Sequence, residues 1–187
     1  MKISAVLLAG GESRRMGRDK ATLPWRGRPL WEWQMEKLRA LHPEMILLSV
    51  RSDVPWRPPD VEVIVDVPPS RGPLSGLTVA LAAIKTDHLL ALAVDMPFMT
   101  TENLRLVCSL ATEGIGVVPT IDGKAEPLGA IYPTEARAAF LEALQGDNFS
   151  LQPLARKLIA LNILREMPIS DRARDFYKSI NEPADLN

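Results

Sequence analysis

Several features are scarce in this chain, and each scarcity excludes a class of protein. A single cysteine, Cys108, among 187 residues excludes an intramolecular disulfide and a zinc site built from cysteines. Its apolar surroundings in LRLVCSL indicate a small core residue. The formal net charge is −1, which gives no general attraction for nucleic acid or for an anionic membrane. We therefore expect no nucleic acid and no membrane as partners.

Long apolar runs are also missing. The apolar run at residues 3–9 is far shorter than the roughly 20 residues that a membrane span requires. A lysine precedes it and small residues follow it, as in a secretory signal, but cleavage there would remove Gly10 and Gly11. We therefore predict a buried strand at residues 3–9 and a cytoplasmic protein.

Short runs rich in leucine or β-branched residues alternate with helical patterns. They predict strands at residues 3–9, 45–50, 61–66, 89–94 and 116–119. Leu74, Leu77 and Leu81 mark one of the helices between them, because they recur at helical spacing. This alternation predicts one α/β domain over residues 1–187, a three-layer sandwich with helices on both faces of a mostly parallel sheet. In such folds ligands bind beyond the carboxyl ends of the strands.

The second half of the chain is less regular. We expect a turn at residues 121–124, a returning strand in EPLGAIYP, and helices at residues 136–144 and 151–158. The proline-rich VPWRPPD is interpreted as a surface loop. Trp25, Trp31 and Trp33 lie near the apolar face of a helix that begins at Pro29, so we interpret them as core residues rather than as a base-stacking platform.

The segment LLAGGESRRMGRDK, which begins in the first predicted strand, combines glycine with positive charge. Gly10 and Gly11 allow the backbone to approach a ligand where a Cβ would intrude. Four cations follow, which are Arg14, Arg15, Arg18 and Lys20. Together they suit a polyphosphate. The spacing is not that of a P-loop, whose lysine precedes serine or threonine, nor that of the dinucleotide fingerprint, whose first two glycines are separated by one residue.

Two aspartates end predicted strands at the same edge of the sheet. Asp95 follows an apolar strand, and Met96 and Pro97 then turn the chain, which presents the carboxylate at the rim. Mg²⁺ prefers carboxylate oxygens together with substrate phosphates and water. Asp66 ends the preceding strand, a position where turn aspartates are common. We therefore interpret Asp95 as a metal ligand and retain both a turn and a ligand-binding role for Asp66.

These segments resemble, in order, those of the molybdenum cofactor guanylyltransferases, which attach a nucleoside monophosphate to molybdopterin. LLAGGESRRMGRDK resembles the family's signature, RGPLSGL its Gly-Pro-Leu-small-Gly element, VDMPFMT its metal-binding turn and SINEPADL its closing segment. The resemblance implies a Rossmann-like fold of the nucleotidyltransferase type and transfer of GMP from GTP to molybdopterin, with release of pyrophosphate. It also implies Mg²⁺ as the cofactor. Molybdenum-insertion proteins and molybdoenzyme chaperones are the protein partners that it suggests.

The same resemblance assigns roles to individual residues. The catalytic residues that it implies are Arg15, Lys20 and Asp95. The metal ligands that it implies are Asp95 and Asn181, although an asparagine before Glu-Pro is equally typical of a helix cap. The residues that it assigns to the nucleotide are Leu8, Ala9, Gly10, Gly11, Lys20, Ser49, Asp66 and Asp95.

One position departs from the family's pattern. Many guanylyltransferases have an asparagine at the end of the second strand, where Ser49 and Arg51 are the nearest equivalents here, and serine lacks the paired donor and acceptor of an amide. Three alternatives stay open: transfer of CMP from CTP to molybdopterin, transfer of a nucleotide to a sugar phosphate, and nucleotide binding by a regulatory protein. Gly10 and RGPLSGL favour guanylyl transfer, and Lys20 with Asp95 favours an enzyme.

Overall fold

The computed structural model describes residues 1–10, 19–52, 54–66 and 68–180. Its strands are β1 Ile3–Leu8, β2 Pro24–Trp25, β3 Arg28–Pro29, β4 Met45–Val50, β5 Glu62–Val65, β6 His88–Ala93, β7 Gly116–Ile121, β8 Lys124–Ala125, β9 Ile131–Pro133 and β10 Leu164–Pro168. Its α-helices are α1 Leu30–Arg39, α2 Pro73–Ala83, α3 Thr101–Ser109, α4 Arg137–Gln145 and α5 Leu151–Ala160. Short 3₁₀ helices span Lys20–Thr22, Pro127–Gly129, Thr134–Ala136 and Asp171–Tyr177.

The central sheet has the strand order β10-β7-β9-β6-β1-β4-β5, and β8 pairs with β7. The pairs β1–β4, β1–β6, β4–β5 and β7–β10 are parallel, whereas β9 runs antiparallel to both β6 and β7. β2 and β3 form a separate small hairpin. The expected α/β class with a mostly parallel sheet is therefore confirmed.

Apolar cores cover both faces of the sheet because successive side chains of a strand point to opposite faces. In β1, Ala5 and Leu7 enter the core beneath α1 and α3, while Val6 and Leu8 enter the core beneath α2, α4 and α5. This pattern explains why the central strands are mostly apolar rather than alternating, with only Ser4, Ser49 and His88 as polar residues in β1, β4 and β6. Within the described residues, no helix is both long enough and apolar enough to cross a membrane.

The predicted strands of the first half are present, with ends that differ by at most two residues. The turn near residue 122 is also confirmed, because Asp122 and Gly123 adopt φ of 51° and 72°, as a tight hairpin requires. The returning strand expected in EPLGAIYP is present only in the second part of that segment, as β9, which runs antiparallel to β7. Pro127 lacks a backbone N–H for strand pairing, and a 3₁₀ turn at Pro127–Gly129 separates β8 from β9.

The three tryptophans that we interpreted as core residues are all half-buried. Trp25 packs edge-on against Phe98, and Trp31 stacks on Trp56 of the proline-rich loop with ring centroids 5.6 Å apart. The core interpretation was wrong for Trp33. The Arg28 guanidinium lies 3.8 Å from the centroid of the Trp33 ring, a cation–π contact at the protein surface.

Cys108 packs against the core beneath α1 and α3, as its sequence surroundings predict. Burial raises the pKa of its thiol to about 12. Because the thiolate is the nucleophile, we expect alkylation of the native protein at mildly alkaline pH to be slower than that of a free cysteine by about a hundredfold or more. The measurement is mass-spectrometric quantification of iodoacetamide labelling. Denaturation with urea should restore the ordinary rate, and equally fast labelling of the native protein would contradict this account.

Candidate active site

A cleft opens at the carboxyl ends of the central strands. The residues that line it are Leu8, Ala9, Gly10, Lys20, Ser49, Asp66, Gly72, Pro73, Ala93, Val94, Asp95 and Leu128. The position follows from the topology, because β1 lies between β4 and β6 and the chain leaves β1 toward β4 before it returns to β6 on the other side. In a sheet with this strand order, the connections that follow β1 and β6 run to opposite sides, and a crevice forms between them at the carboxyl ends of the strands. The crevice lies between Gly10, after β1, and Asp95, after β6.

Lys20 and Asp95 place opposite charges side by side in the cleft. Lys20 Nζ lies 2.9 Å from Asp95 Oδ2 and also donates a hydrogen bond of 2.8 Å to the backbone oxygen of Ile180. The two side chains are 17% and 21% exposed, so both charges are accessible from the cleft and only partly screened by water. This arrangement supplies a cation for an anionic ligand and a carboxylate for a metal ion.

The segment that carries Lys20 is fixed by Asp19. One carboxylate oxygen of Asp19 accepts a hydrogen bond from the backbone N–H of Ala21, which caps the 3₁₀ helix Lys20–Thr22. The other accepts from Trp56 Nε1 at 2.9 Å, and Trp56 is itself stacked on Trp31 of α1. The proline-rich loop therefore helps to hold Lys20 in place.

Asp66 organises the loop that leads into α2. Its carboxylate accepts a hydrogen bond of 2.5 Å from Ser70 Oγ, which in turn accepts one from the backbone N–H of Gly72. Gly72 has φ of +65°, which favours glycine, and Pro73 then begins α2. Asp66 thus has the loop-forming role that its sequence position suggested, and it also lines the cleft.

Gly10 lies in the cleft and also packs closely against the end of β4. A Cβ at Gly10 would lie 3.2 Å from the backbone nitrogen of Arg51 and 3.3 Å from the carbonyl carbon of Val50. The end of β4 therefore leaves little room for a side chain here, and the ligand-binding role of Gly10 stays a prediction.

The C-terminal part of the described chain returns to the site. The backbone N–H of Ile180 donates a hydrogen bond of 2.8 Å to the backbone oxygen of Asp95. Upstream, Tyr177 is buried and its hydroxyl accepts a hydrogen bond from Asn103 Nδ2 in α3. Burial raises the pKa of Tyr177 to about 12, so this hydroxyl stays protonated at neutral pH.

The structure brings most of the predicted site residues into the one cleft. The predicted residues found there are Leu8, Ala9, Gly10, Lys20, Ser49, Asp66 and Asp95. Gly11, Arg15 and Asn181, together with the cations Arg14 and Arg18, lie outside the described residues. Ser70 and the Ile180 carbonyl were missed, because each acts through a contact that no short motif encodes.

The described part of the chain holds no group of three or more histidine, cysteine, aspartate or glutamate side chains that is arranged to bind a metal ion. A cation bound in the cleft would meet the carboxylates of Asp66 and Asp95. Mg²⁺ is commonly bound in this way, by one or two carboxylates, substrate phosphates and water.

Comparison with known proteins now identifies the family. Residues 5–163 match the model of the MobA-like NTP transferase domain. The chain belongs to this family. A probable molybdenum cofactor guanylyltransferase from Opitutus terrae is 34% identical over 98% of this chain and 92% of its own length. A molybdenum cofactor guanylyltransferase from Ectopseudomonas mendocina is 32% identical over 90% of this chain and 83% of its own.

Solved structures agree with this assignment. The molybdopterin-guanine dinucleotide biosynthesis protein A from Archaeoglobus fulgidus superposes with a TM-score of 0.76 at 26% identity, over 98% of this chain and 94% of its own. The 2-C-methyl-D-erythritol 4-phosphate cytidylyltransferase from Thermus thermophilus superposes with a TM-score of 0.69 at 18% identity, over 100% and 96%. The second likeness shows a shared fold only. The chain is accordingly a nucleotidyltransferase.

Close packing of α2 against β4 gives a test of the cleft's geometry. A Cβ at Gly76 would lie 2.3 Å from Ser49 Oγ and 2.9 Å from Leu8 Cδ2. We expect Gly76→Ala to lower the free energy of unfolding by about 1 to 3 kcal/mol, because overpacking strains the core. Ser49→Ala in the same protein should recover part of that loss. Urea denaturation of the two single variants and the double variant measures the coupling.

Gly146→Ala is the matched control. A Cβ there meets only ordinary contacts, at 3.6 and 3.9 Å, and φ is −83°. Its stability should change by less than about 1 kcal/mol. Equal stability of Gly76→Ala and Gly146→Ala would show that the contact between α2 and Ser49 is looser than described.

Proposed function

We propose that this protein transfers GMP from GTP to molybdopterin and releases pyrophosphate. The observation that carries the proposal is the Lys20–Asp95 pair in the cleft between β1 and β6. Both guanylyltransferase relatives described above are named for the molybdenum cofactor and for guanylyl transfer, which indicates molybdopterin and GTP as the substrates. The near full-length match to them supports the same reaction in this chain.

The reaction needs no nucleophile from the protein. An oxygen of the terminal phosphate of molybdopterin attacks the α-phosphorus of GTP, and the bond from that phosphorus to the oxygen bridging the α- and β-phosphates breaks. A phosphate monoester is largely ionised at neutral pH, so no general base is required. The work of the protein is therefore to align the two phosphates and to stabilise the charge that develops on pyrophosphate.

Lys20 is the described cation best placed to stabilise that charge, because its ammonium lies in the cleft beside Asp95. Asp95 would hold Mg²⁺ together with phosphate oxygens, and its partly exposed carboxylate suits such a shared site. Bound there, Mg²⁺ supplies Lewis-acid neutralisation of the phosphate oxygens. Arg15 and Asn181, which lie outside the described residues, keep their expected roles as a second cation and a second metal ligand.

The nucleoside would occupy the side of the cleft formed by β1, β4 and the loop before α2. Ala9 and Gly10 expose backbone there, and the N–H of Ala9 is already bonded to the backbone oxygen of Ser49 at 2.9 Å. The buried side chains of Ser49 and Asp66 line the same region. This combination of backbone and short polar side chains supports base and ribose recognition by hydrogen bonds.

The test of the function is pyrophosphate release with molybdopterin, Mg²⁺ and each common nucleoside triphosphate in turn. We expect release with GTP to exceed that with CTP, ATP or UTP by about a hundredfold or more in kcat/KM, because a site that hydrogen-bonds one base leaves polar groups unpaired with the others. Preference for CTP would make the protein a cytidylyltransferase. No release with any triphosphate would favour a nucleotide-binding regulatory protein.

Substitutions in the charged pair test the mechanism. Asp95→Asn preserves the shape but removes the charge that holds the metal, so we expect kcat to fall by about a hundredfold to a thousandfold. Lys20→Met should lower kcat more than it raises KM for GTP, because the charge that Lys20 meets grows in the transition state. Lys157→Met, which removes only an exposed ion pair with Glu142, is the control and should be unaffected. Normal turnover in a folded Asp95→Asn protein would remove Asp95 from the mechanism.

A further inference from the structure

Gln34 is a fully buried polar side chain on the inner face of α1. Its neighbours on that face are apolar and buried, as the 0% exposure of Leu30, Met35 and Leu38 shows. A buried amide without partners costs about 1 to 3 kcal/mol, so a glutamine in this position needs a specific hydrogen-bonding task. Gln34 Nε2 donates to the backbone oxygens of Ala93 and Val94, at 3.2 and 3.3 Å.

The carbonyls of Ala93 and Val94 lie at the end of β6, beyond its pairing with β9. β1 pairs with β6 as far as Ala93, whereas β9 pairs with it only over His88–Leu90. The backbone oxygen of Ala93 also accepts a hydrogen bond of 3.4 Å from the N–H of Met96. The side-chain amide of Gln34 adds a donor from α1 to both carbonyls, where β9 supplies none.

Lys37 lies one helical turn after Gln34 in α1 and contacts the chain on the other side of Asp95. Its ammonium donates hydrogen bonds of 2.8 Å to Gln34 Oε1 and to the backbone oxygen of Pro97. Both acceptors are neutral. Burial, reinforced by the charge of Arg26 and opposed by Glu36, lowers the pKa of Lys37 to about 8. The hydrogen bonds to Gln34 and Pro97 offset part of the cost of burying this ammonium.

We propose that Gln34 and Lys37 are positioning residues that hold the Asp95 turn in its catalytic geometry. They donate hydrogen bonds to carbonyls on both sides of Asp95. Gln34 binds those of Ala93 and Val94 before it, and Lys37 binds that of Pro97 after it. The inference rests on the proposed function for the catalytic role of Asp95. Neither residue lines the cleft, so each acts through the backbone of the turn.

Asp95 is then held from two directions. On the cleft side its carboxylate meets Lys20 and its backbone oxygen accepts from Ile180. On the α1 side the two positioning residues fix the backbone that carries it. A polyphosphate or a metal bound to Lys20 and Asp95 would change the cleft contacts, whereas the α1 contacts lie outside the cleft and can stay as they are.

The test compares Lys37→Met, Lys37→Arg and Gln34→Met in the full-length protein. A misplacement of about 1 Å at a reacting centre can cost about a hundredfold in rate, so we expect Lys37→Met and Gln34→Met to lower kcat by about tenfold to a hundredfold. KM for GTP should change by less than about threefold, because neither residue contacts the cleft. Lys37→Arg, which retains the charge and the donors, should restore kcat to within about threefold of the native value.

Arg39→Met is the matched control on the same helix. It removes an α1 cation whose partner, Asp60, is at the surface, and kcat should stay within about twofold of the native value. Amide hydrogen exchange of peptides covering residues 93–99 gives a readout that does not depend on activity. Exchange there should accelerate in Lys37→Met and Gln34→Met, but not in Lys37→Arg or Arg39→Met.

The activity assays and the hydrogen-exchange measurement test the proposed function and the role of Gln34 and Lys37 separately. Inactivity of the native protein with every triphosphate would overturn the function, while hydrogen exchange would still decide whether the two residues hold the turn. Unchanged exchange in Lys37→Met and Gln34→Met would overturn the inference, as would a native kcat in Lys37→Met or failure of Lys37→Arg to restore it. A loss that appears in KM alone would also overturn it, since it would place Lys37 in substrate binding.

Discussion

β6 is buried over all six of its residues, and Asp95, two residues after its end, brings a carboxylate from the centre of the sheet to the cleft. A carboxylate next to an apolar core is costly unless it is paired and its backbone is fixed. Lys20 provides the pairing, and Ile180 binds the backbone oxygen of Asp95. The opposite charges of the cleft, and hence its proposed chemistry, depend on this arrangement.

Three segments around the cleft each hold a different part of it in place. The segment before α1 carries Lys20 and is fixed through Asp19 and Trp56. The loop before α2 is organised by Asp66 and forms the opposite wall. α1 supports the Asp95 turn from beneath through Gln34. The contacts of Trp56 with Asp19 and of Gln34 with Ala93 and Val94 join segments that are distant in sequence, so the cleft exists only in the folded chain.

The sequence predicted the parts of the fold that bury continuous apolar runs, because periodicity reports burial directly. β10 was missed because it is a sheet-edge strand whose Arg165 and Glu166 are exposed, which gives no apolar run. In the site, the end of a strand identified Asp95 and the glycine-rich basic segment identified Lys20 as candidates, but their direct contact was not predicted. The contacts of Gln34 were not predictable, since its partners lie 59 and 60 residues away, although a glutamine on an apolar helix face was a visible signal.

The proposed function requires the crevice between Gly10 and Asp95 to bind the reacting phosphates of GTP. The most direct measurement is a crystal structure with Mg²⁺ and a GTP analogue whose bond between the α- and β-phosphates is a non-hydrolysable methylene bridge. We expect the α-phosphate in this crevice, the metal on the Asp95 carboxylate, and Lys20 against the departing phosphates. A nucleotide bound elsewhere, or a metal held without Asp95, would contradict it.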